Sequence, residues 1–286
     1  MSYEAENEKF LKILSYYLTF TEDMVTADKV CEVESLGVSK ERAFALVLAE
    51  GLGVDTLGTD RAFFENYFIP SIKWLKLEDY YNDEYFKLIP FAEKKLGSFE
   101  MKYMSAKPYQ GFVRDDFAYL FDGRVIPKIG FFDSEYRYPA VLQDGREWMT
   151  LLPNEINSQI RYINEAFGNV LTYGLGLGYY VLKVALKEIV NSVTVVDIDE
   201  NVISLFKENV LPHFPKNARD KVKIINADAF KFAESEQVSS FDYIYADIWH
   251  DVGDGVELYK KFKEREKFAP NAKFGYWIED TIKYYL

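Results

Sequence analysis

The sequence predicts an α/β protein built on a parallel sheet, preceded by a helical N-terminal domain and a short antiparallel β segment. Three observations carry that prediction. From Pro153 onward, short apolar runs alternate with segments of helical period. Residues 98–152 are instead short, aromatic-rich and β-branched runs punctuated by Asp-Gly and Pro. Residues 1–97 keep a helical period almost throughout. The expected domains are therefore 1–97 (helical), 98–152 (antiparallel β) and 153–286 (parallel α/β).

Each element has a local reason. "AENEKFLKILSYYLTF" places Phe10, Leu11, Ile13, Leu14, Tyr17 and Leu18 at helical spacing. "SKERAFALVLAEGLG" starts with Ser39, a good N-cap, and ends in Gly51 and Gly53, which suit a helix terminus. "DRAFFENYFIPSIKWLKLEDYYNDEYFKLI" continues the helical pattern, with Pro70 as a break. In the β segment, "FDGR" and "QDGR" each carry the Asp-Gly hairpin signal. The last region reads as helix "PNEINSQIRYINEAF", strand "NVLTYG", helix "YYVLKVALKE", strand "SVTVVDI" and helix "ENVISLFKENVLPHF". Strand "VKIINA", short helix "FKFAES", strand "FDYIYADI", helix "VELYKKFKEREKF" and strand "KFGYWIED" follow. Strands joined through helices form right-handed crossovers and a sheet covered on both faces. Ligands of such sheets bind beyond the carboxyl ends of the strands. The informative residues are therefore those just after Tyr173, Ile198, Ala227, Ile248 and Ile278.

Composition narrows the function classes. The chain has 286 residues, 49% of them hydrophobic and 17% aromatic, enough for a sizeable core. Its formal net charge is −12, which disfavours duplex nucleic acid and anionic membrane surfaces as partners. "LGVSKERAFALVLAEGLGVD" faintly suggests a helix-turn-helix. The first hundred residues, however, hold 11 basic and 19 acidic side chains, and an ordinary helix pair is the better reading. Packing on the other domain, a homo-oligomer contact or a cover for a substrate site are the roles expected of these helices. Cys31 is the single cysteine, which excludes an internal disulfide and fits a reducing cytoplasm. "MSYEAENEKF" lacks the apolar core of a signal peptide, and no run is long and apolar enough to span a bilayer. A cytoplasmic location is the expectation.

The candidate ligand site begins at "NVLTYGLGLGYYVLKVA". Gly174, Gly176 and Gly178 form G-x-G-x-G between a strand and a helix, not the G-x-G-x-x-G of dinucleotide sites; Tyr179 stands where the third glycine would belong. Glycine suits such a turn for steric reasons alone. The context adds more. Asp197 ends the next strand, 19 residues after Gly178, where a carboxylate can accept bonds from both ribose hydroxyls. Asp199 is the better cap for the helix that follows. Asp228, followed by Ala229, comes directly after the third strand, where it can cap the short helix or accept a bond from an adenine amino group.

Glycine turn, acid after strand two and acid after strand three form an ordered triple. The stretches "NVLTYGLGLGY", "VTVVDIDENVI", "VKIINADAF" and "FDYIYADIW" resemble the class I S-adenosylmethionine-dependent methyltransferase fold, and most of all its spermidine synthase-like branch. "LQDGREWMTLLPNEI" resembles the hairpin and helix that precede the glycine turn in that branch. The likeness covers about residues 140–280. It implies a Rossmann-like sheet lacking the last two strands. It also implies S-adenosylmethionine as cofactor, held by Gly174, Gly176, Gly178, Asp197, Asp228 and Ala229, and a small-molecule acceptor. The acid that many methyltransferases carry two residues before the first glycine is replaced by Thr172. The D-x-x-D pair of the synthases is replaced by "DIWHD", Asp247 to Asp251, and their upstream glutamine by Trp148.

The strand-four loop is where acceptor chemistry is expected, and Asp247 and His250 are the candidate catalytic residues. The imidazole of His250 suits a general base, though on position alone it reads equally as a solvated loop residue. "DIWHD" also resembles the aspartate-x-tryptophan-lysine-aspartate loop of catechol O-methyltransferase-like enzymes. That likeness implies Asp247 as a magnesium ligand and His250 as the base, with Glu279 and Asp280 of "WIED" as further oxygen ligands. Isolated carboxylates at strand ends are more often caps. Methyl transfer to a small molecule is the leading expectation. Aminopropyl transfer from decarboxylated S-adenosylmethionine is the alternative, and a catalytically silent nucleoside-binding or assembly module is the third.

Overall fold

The computed structural model describes residues 3–20 and 24–286. Among them are twelve strands: β1 (Ile72–Trp74), β2 (Lys94–Leu96), β3 (Phe99–Ala106), β4 (Phe112–Tyr119), β5 (Val125–Phe131), β6 (Tyr136–Gln143), β7 (Arg146–Thr150), β8 (Gly168–Tyr173), β9 (Val190–Asp197), β10 (Val222–Asn226), β11 (Tyr243–Ala246) and β12 (Lys273–Tyr276). The chain divides into two compact units. One holds Met1–Tyr80 and Ser105–Arg137, the other Tyr81–Met104 and Tyr138–Leu286. These are not the sequential domains expected from residues 1–97, 98–152 and 153–286. The sequence pattern changes at those boundaries, but packing does not follow it.

In the first unit, helices Glu4–Phe20, Ala27–Glu34 and Lys40–Gly51 surround a three-stranded sheet ordered β1-β5-β4. Ser39 is the expected cap of the third helix, its hydroxyl accepting from the Arg42 N–H at 3.2 Å. Phe10, Phe44, Phe68 and Phe131 are fully buried, and Phe44 stacks on Phe131 at 4.2 Å between centroids. The helical expectation fails at Ile72–Trp74. This stretch follows the helical turn Ile69–Ser71 that contains Pro70, and it pairs in parallel with Ile129–Phe131. Strand pairing overrides the local helical spacing there. Asp122–Gly123 makes the tight turn between β4 and β5, with Gly123 at φ +94°.

The second unit is built on a five-stranded parallel sheet ordered β10-β9-β8-β11-β12. Its inner strands β8, β9 and β11 are rich in apolar residues because both faces are covered; Val170, Leu171, Val193, Val195, Val196 and Ile244 are all fully buried. The order reverses between β8 and β11. The crevice at their carboxyl ends is the topological switch point where such folds bind ligands. A four-stranded sheet, β2-β3-β6-β7, lies upstream in the chain. Its β6–β7 hairpin turns through Asp144 and Gly145, both at positive φ (+51° and +79°), as the Asp-Gly signal predicts. Residues 94–96, read from sequence as helical, form its strand β2. Among the described residues, no helix is long and apolar enough to cross a membrane.

Candidate active site

The site is assembled at the carboxyl ends of β8, β9 and β11. Its frame is the glycine turn. Gly174, Gly176 and Gly178 have φ of +92°, +55° and +78°, a region that residues with a Cβ avoid. They differ in what surrounds them. A Cβ on Gly174 would lie 1.9 Å from the Asp247 carbonyl oxygen, and one on Gly178 would lie 2.2 Å from the Phe206 ring. Those two glycines are packing requirements, letting β8 approach β11 and the turn approach helix Glu200–Asn209. A Cβ on Gly176 would meet only the Met149 sulfur, at 3.6 Å. Its face is open toward the cavity. Gly176→Ala should therefore cost only about 1 kcal/mol of stability, from its φ, while weakening whatever binds against the turn. Thermal unfolding and ligand titration of the same preparation check both halves.

Asp197, at the end of β9, holds this turn. One carboxylate oxygen accepts from the Leu175 N–H and the other from the Asp199 N–H, both at 2.9 Å. An ionised carboxylate has about four acceptor positions, so these backbone bonds leave part of its capacity to a ligand. Burial pushes its pKa up, partly offset by these backbone bonds. Asp199 caps the next helix, accepting from Asn201 and Val202 N–H, as its position suggests. Asp228 caps helix Ala229–Ala233 by accepting from the Lys231 N–H at 2.9 Å. Its capping role is thus real, and it also lines the cavity together with Ala229.

The cavity has a volume of about 430 Å3. Five carboxylates line it: Glu155, Asp197, Asp199, Asp228 and Asp247. Among the described residues, no lysine or arginine does. Its apolar wall includes Trp148, Met149, Phe230, Trp249, Leu258 and Trp277. A cavity of this kind favours cationic ligands with an apolar or aromatic body and opposes diphosphates.

Asp247 and Glu155 form the electrostatic centre. Asp247 follows β11, while Glu155 lies on helix Pro153–Glu165, one turn before Gln159. The Gln159 amide donates weakly to Asp247 Oδ2, at 3.4 Å. Enclosure by the protein pushes the Asp247 pKa up to about 7. Glu155 is raised well above the carboxylate range, by burial first and by the Asp247 charge second. Two desolvated carboxyls that repel one another hold a proton near neutrality, or hold a cation. Both keep partial exposure, and it is toward the cavity they line. Around them lie buried polar atoms without a hydrogen-bond partner: Gln159 Oε1, the Tyr180 and Tyr245 hydroxyls and Trp249 Nε1. Tyr180 stacks on Tyr245 at 4.2 Å. Buried unsatisfied groups are costly, and a cluster of them on a cavity wall marks where ligand polar atoms belong.

His250 lies at the rim and is exposed. Its Nδ1 is 3.2 Å from Asp254 Oδ2, and its ring meets Trp148 edge-on at 4.2 Å. Asp254 also accepts from the His250 and Asp251 N–H groups, while Asp251 caps helix Val252–Lys263. The loop thus spends Asp251 and Asp254 on local structure and leaves Asp247 facing the cavity. The expected magnesium set is not brought together. Glu279 accepts from the Tyr259 hydroxyl at 2.7 Å and pairs with Lys283 at 3.3 Å, and Asp280 lies 3.9 Å from Arg161. Among the described residues, no group of three or more His, Cys, Asp or Glu could hold a metal ion. The reason is the chain's path: Ile278, at φ +45°, starts a helix that carries Glu279 and Asp280 to other partners.

Sequence reasoning placed the glycines, Asp197, Asp228, Asp247 and His250 around one cavity, and the structure brings them there. It missed Glu155, Gln159, Tyr180 and Tyr245. One signal was present: Glu155 and Gln159 are four apart, on the same side of their helix as Ile156 and Ile163. Polar residues within a buried stripe call for a partner.

Residues 162–267 match the family model of the spermine/spermidine synthase domain. Among solved structures, precorrin 8W decarboxylase of Methanobacterium thermoautotrophicum is similar at 20% identity, over 42% of this chain and 60% of that one, with a TM-score of 0.31. The methyltransferase domain of bacterial CtHen1-C is similar at 14% identity, over 40% of this chain and 52% of that one, with a TM-score of 0.27. The chain thus spans 60% or less of these structures' length. No curated protein sequence matches significantly. The second unit is a Rossmann-like α/β fold by its strand order, and over residues 162–267 it is similar to the spermine/spermidine synthase domain.

Proposed function

We propose that this protein transfers a methyl group from S-adenosylmethionine to a small amine. The observation that carries the reading is the cavity lined by five carboxylates and, among the described residues, by no lysine or arginine, with the Glu155–Asp247 pair beside the glycine turn. The donor's adenosine fits the ordered set: Asp228 for the adenine amino group, Asp197 for the ribose hydroxyls, and the open face of Gly176 for close approach. The bound donor supplies an electrophilic carbon on a sulfonium. The residues of this chain do the rest. Glu155 and Asp247 attract and orient the acceptor's ammonium, and Gln159 Oε1 offers a further acceptor atom. Asp247, when ionised, takes the proton from that ammonium and frees the nitrogen lone pair. The apolar wall excludes water.

The acid pair thereby takes over the base role that the sequence suggested for His250. His250→Ala should change turnover by less than about tenfold, whereas loss of a positioned base costs roughly 10²–10⁴-fold. Steady-state rates of the variant check this; a drop in the larger range restores His250 as the base.

One observation favours a second reading. Decarboxylated S-adenosylmethionine lacks the donor's carboxylate, and among the described residues no lysine or arginine lines the cavity to pair with one. Aminopropyl transfer would then be the reaction. The released nucleoside separates the two. Incubation with each donor and a panel of amines, followed by mass spectrometry, should yield S-adenosylhomocysteine for methyl transfer or 5′-methylthioadenosine for aminopropyl transfer. Neither nucleoside, with a donor that binds, would favour a silent binding module.

A further inference from the structure

The segment Tyr81–Met104 lies before the parallel sheet in the chain but belongs to the same compact unit. Its helix Glu84–Leu88 places Tyr85 fully buried against the glycine turn. The Tyr85 hydroxyl donates to the Leu177 carbonyl oxygen at 2.8 Å, inside the Gly176-Leu177-Gly178 stretch. Beside it, Asp83 accepts from the Tyr179 hydroxyl at 3.1 Å and pairs with Lys183 at 2.9 Å. Lys183 also pairs with Glu84. One residue before the short helix, Asp83, and two within it, Glu84 and Tyr85, are thereby fastened to the turn and to helix Tyr179–Ala185, which the turn begins.

This fastening bears on one peptide in particular. The Leu177 carbonyl is flanked by two glycines at positive φ, whose wide conformational freedom lets the intervening peptide planes rotate. Leu177 and both glycines line the cavity. If the Leu177 carbonyl turned inward, it would present a negative dipole where the open face of Gly176 receives a ligand. A buried carbonyl without a donor is also costly, so the Tyr85 hydroxyl fixes the outward orientation. We infer that Tyr85, braced by Asp83 and Lys183, is a positioning residue for the donor nucleoside: it holds the glycine turn in its binding geometry from outside the parallel sheet. This rests on the proposed use of an S-adenosyl donor.

The test is calorimetric titration of the full chain with S-adenosylhomocysteine, alongside thermal unfolding without ligand. For Tyr85→Phe the expected result is a dissociation constant for S-adenosylhomocysteine raised about tenfold. Unfolding should stay cooperative. A purely structural Tyr85 would lower the unfolding midpoint and leave the dissociation constant of the folded protein unchanged, which overturns the inference. If Tyr85→Phe does not fold, Tyr179→Phe removes the neighbouring bond to Asp83 and should raise the dissociation constant by a smaller factor, about threefold; no change there also overturns it. Failure of the wild-type chain to bind S-adenosylhomocysteine would instead refute the proposed donor, a different and recognisable outcome.

Discussion

Asp247→Asn is expected to stabilise the protein at pH 8 while lowering turnover by roughly 10²–10⁴-fold. Both effects come from one cause. In the folded protein the Asp247 pKa is pushed up to about 7 by enclosure, against an ordinary value of 3.8. A carboxyl raised on folding favours the protonated state in the folded protein. Its contribution to stability is fully present below the unfolded value and is lost as pH rises through the folded one. Above pH 7 the ionised Asp247 is thus a net cost, on the order of a few kcal/mol, and asparagine removes it. The same substitution relieves the repulsion that raises Glu155. The midpoint difference between variant and wild type should shrink as pH falls from 8 toward 4. Activity has the matching sign: only ionised Asp247 accepts a proton, so wild-type turnover should rise through about pH 7. Thermal unfolding at several pH values and a pH–rate profile check the two halves. A variant less stable than wild type at pH 8 would mean that the ionised carboxylate is well solvated or paired.

Gly174→Ala is expected to be the most damaging single-methyl change in the second unit. The new Cβ would lie 1.9 Å from the backbone oxygen of Asp247, and the residue would be held at φ +92°. Backbone cannot yield as a flexible side chain can. The Gly174 N–H is bonded to the Val196 carbonyl oxygen at 2.9 Å, and the Asp247 N–H to that of Tyr173 at 2.9 Å, so three neighbouring strand ends would have to separate. A loss on the order of 4 kcal/mol follows from overpacking together with the wrong φ. Denaturant unfolding measures it. Gly176→Ala is the internal control. A Gly174→Ala protein of near wild-type stability would show that the β8–β11 approach is looser than described.

The fold of residues 153–286 was legible because the inner parallel strands β8, β9 and β11 are largely buried and the connections carry helices, so periodicity changes sharply along the chain. The acids at or after the ends of β9, β10 and β11 were legible for a related reason: topology sends the carboxyl ends of those strands to one crevice. What the sequence concealed depends on distant partners. Ile72–Trp74 has a helical neighbourhood and becomes a strand only by pairing with Ile129–Phe131. Tyr85 reads as one aromatic in an aromatic-rich helical stretch, and its role appears only when Leu177, 92 residues away, is beside it. Glu155 was hidden by its own helix, where a first-turn acid is an ordinary favourable feature. Glu279 and Asp280 misled because adjacency in sequence to a strand end does not fix direction; the turn at Ile278 sends them elsewhere.

The proposed function requires the acidic crevice at the β8–β11 switch point to bind an S-adenosyl nucleoside through Asp197 and the glycine turn. Calorimetric titration of the chain with S-adenosylhomocysteine, in wild type and Asp197→Ala, tests it most directly. Wild type should show one site with a dissociation constant of low micromolar or weaker, about −8 kcal/mol at the tight end. The variant should lose about 1.5–3 kcal/mol. Binding of NAD with no heat from S-adenosylhomocysteine, or equal binding by wild type and Asp197→Ala, would contradict this assignment.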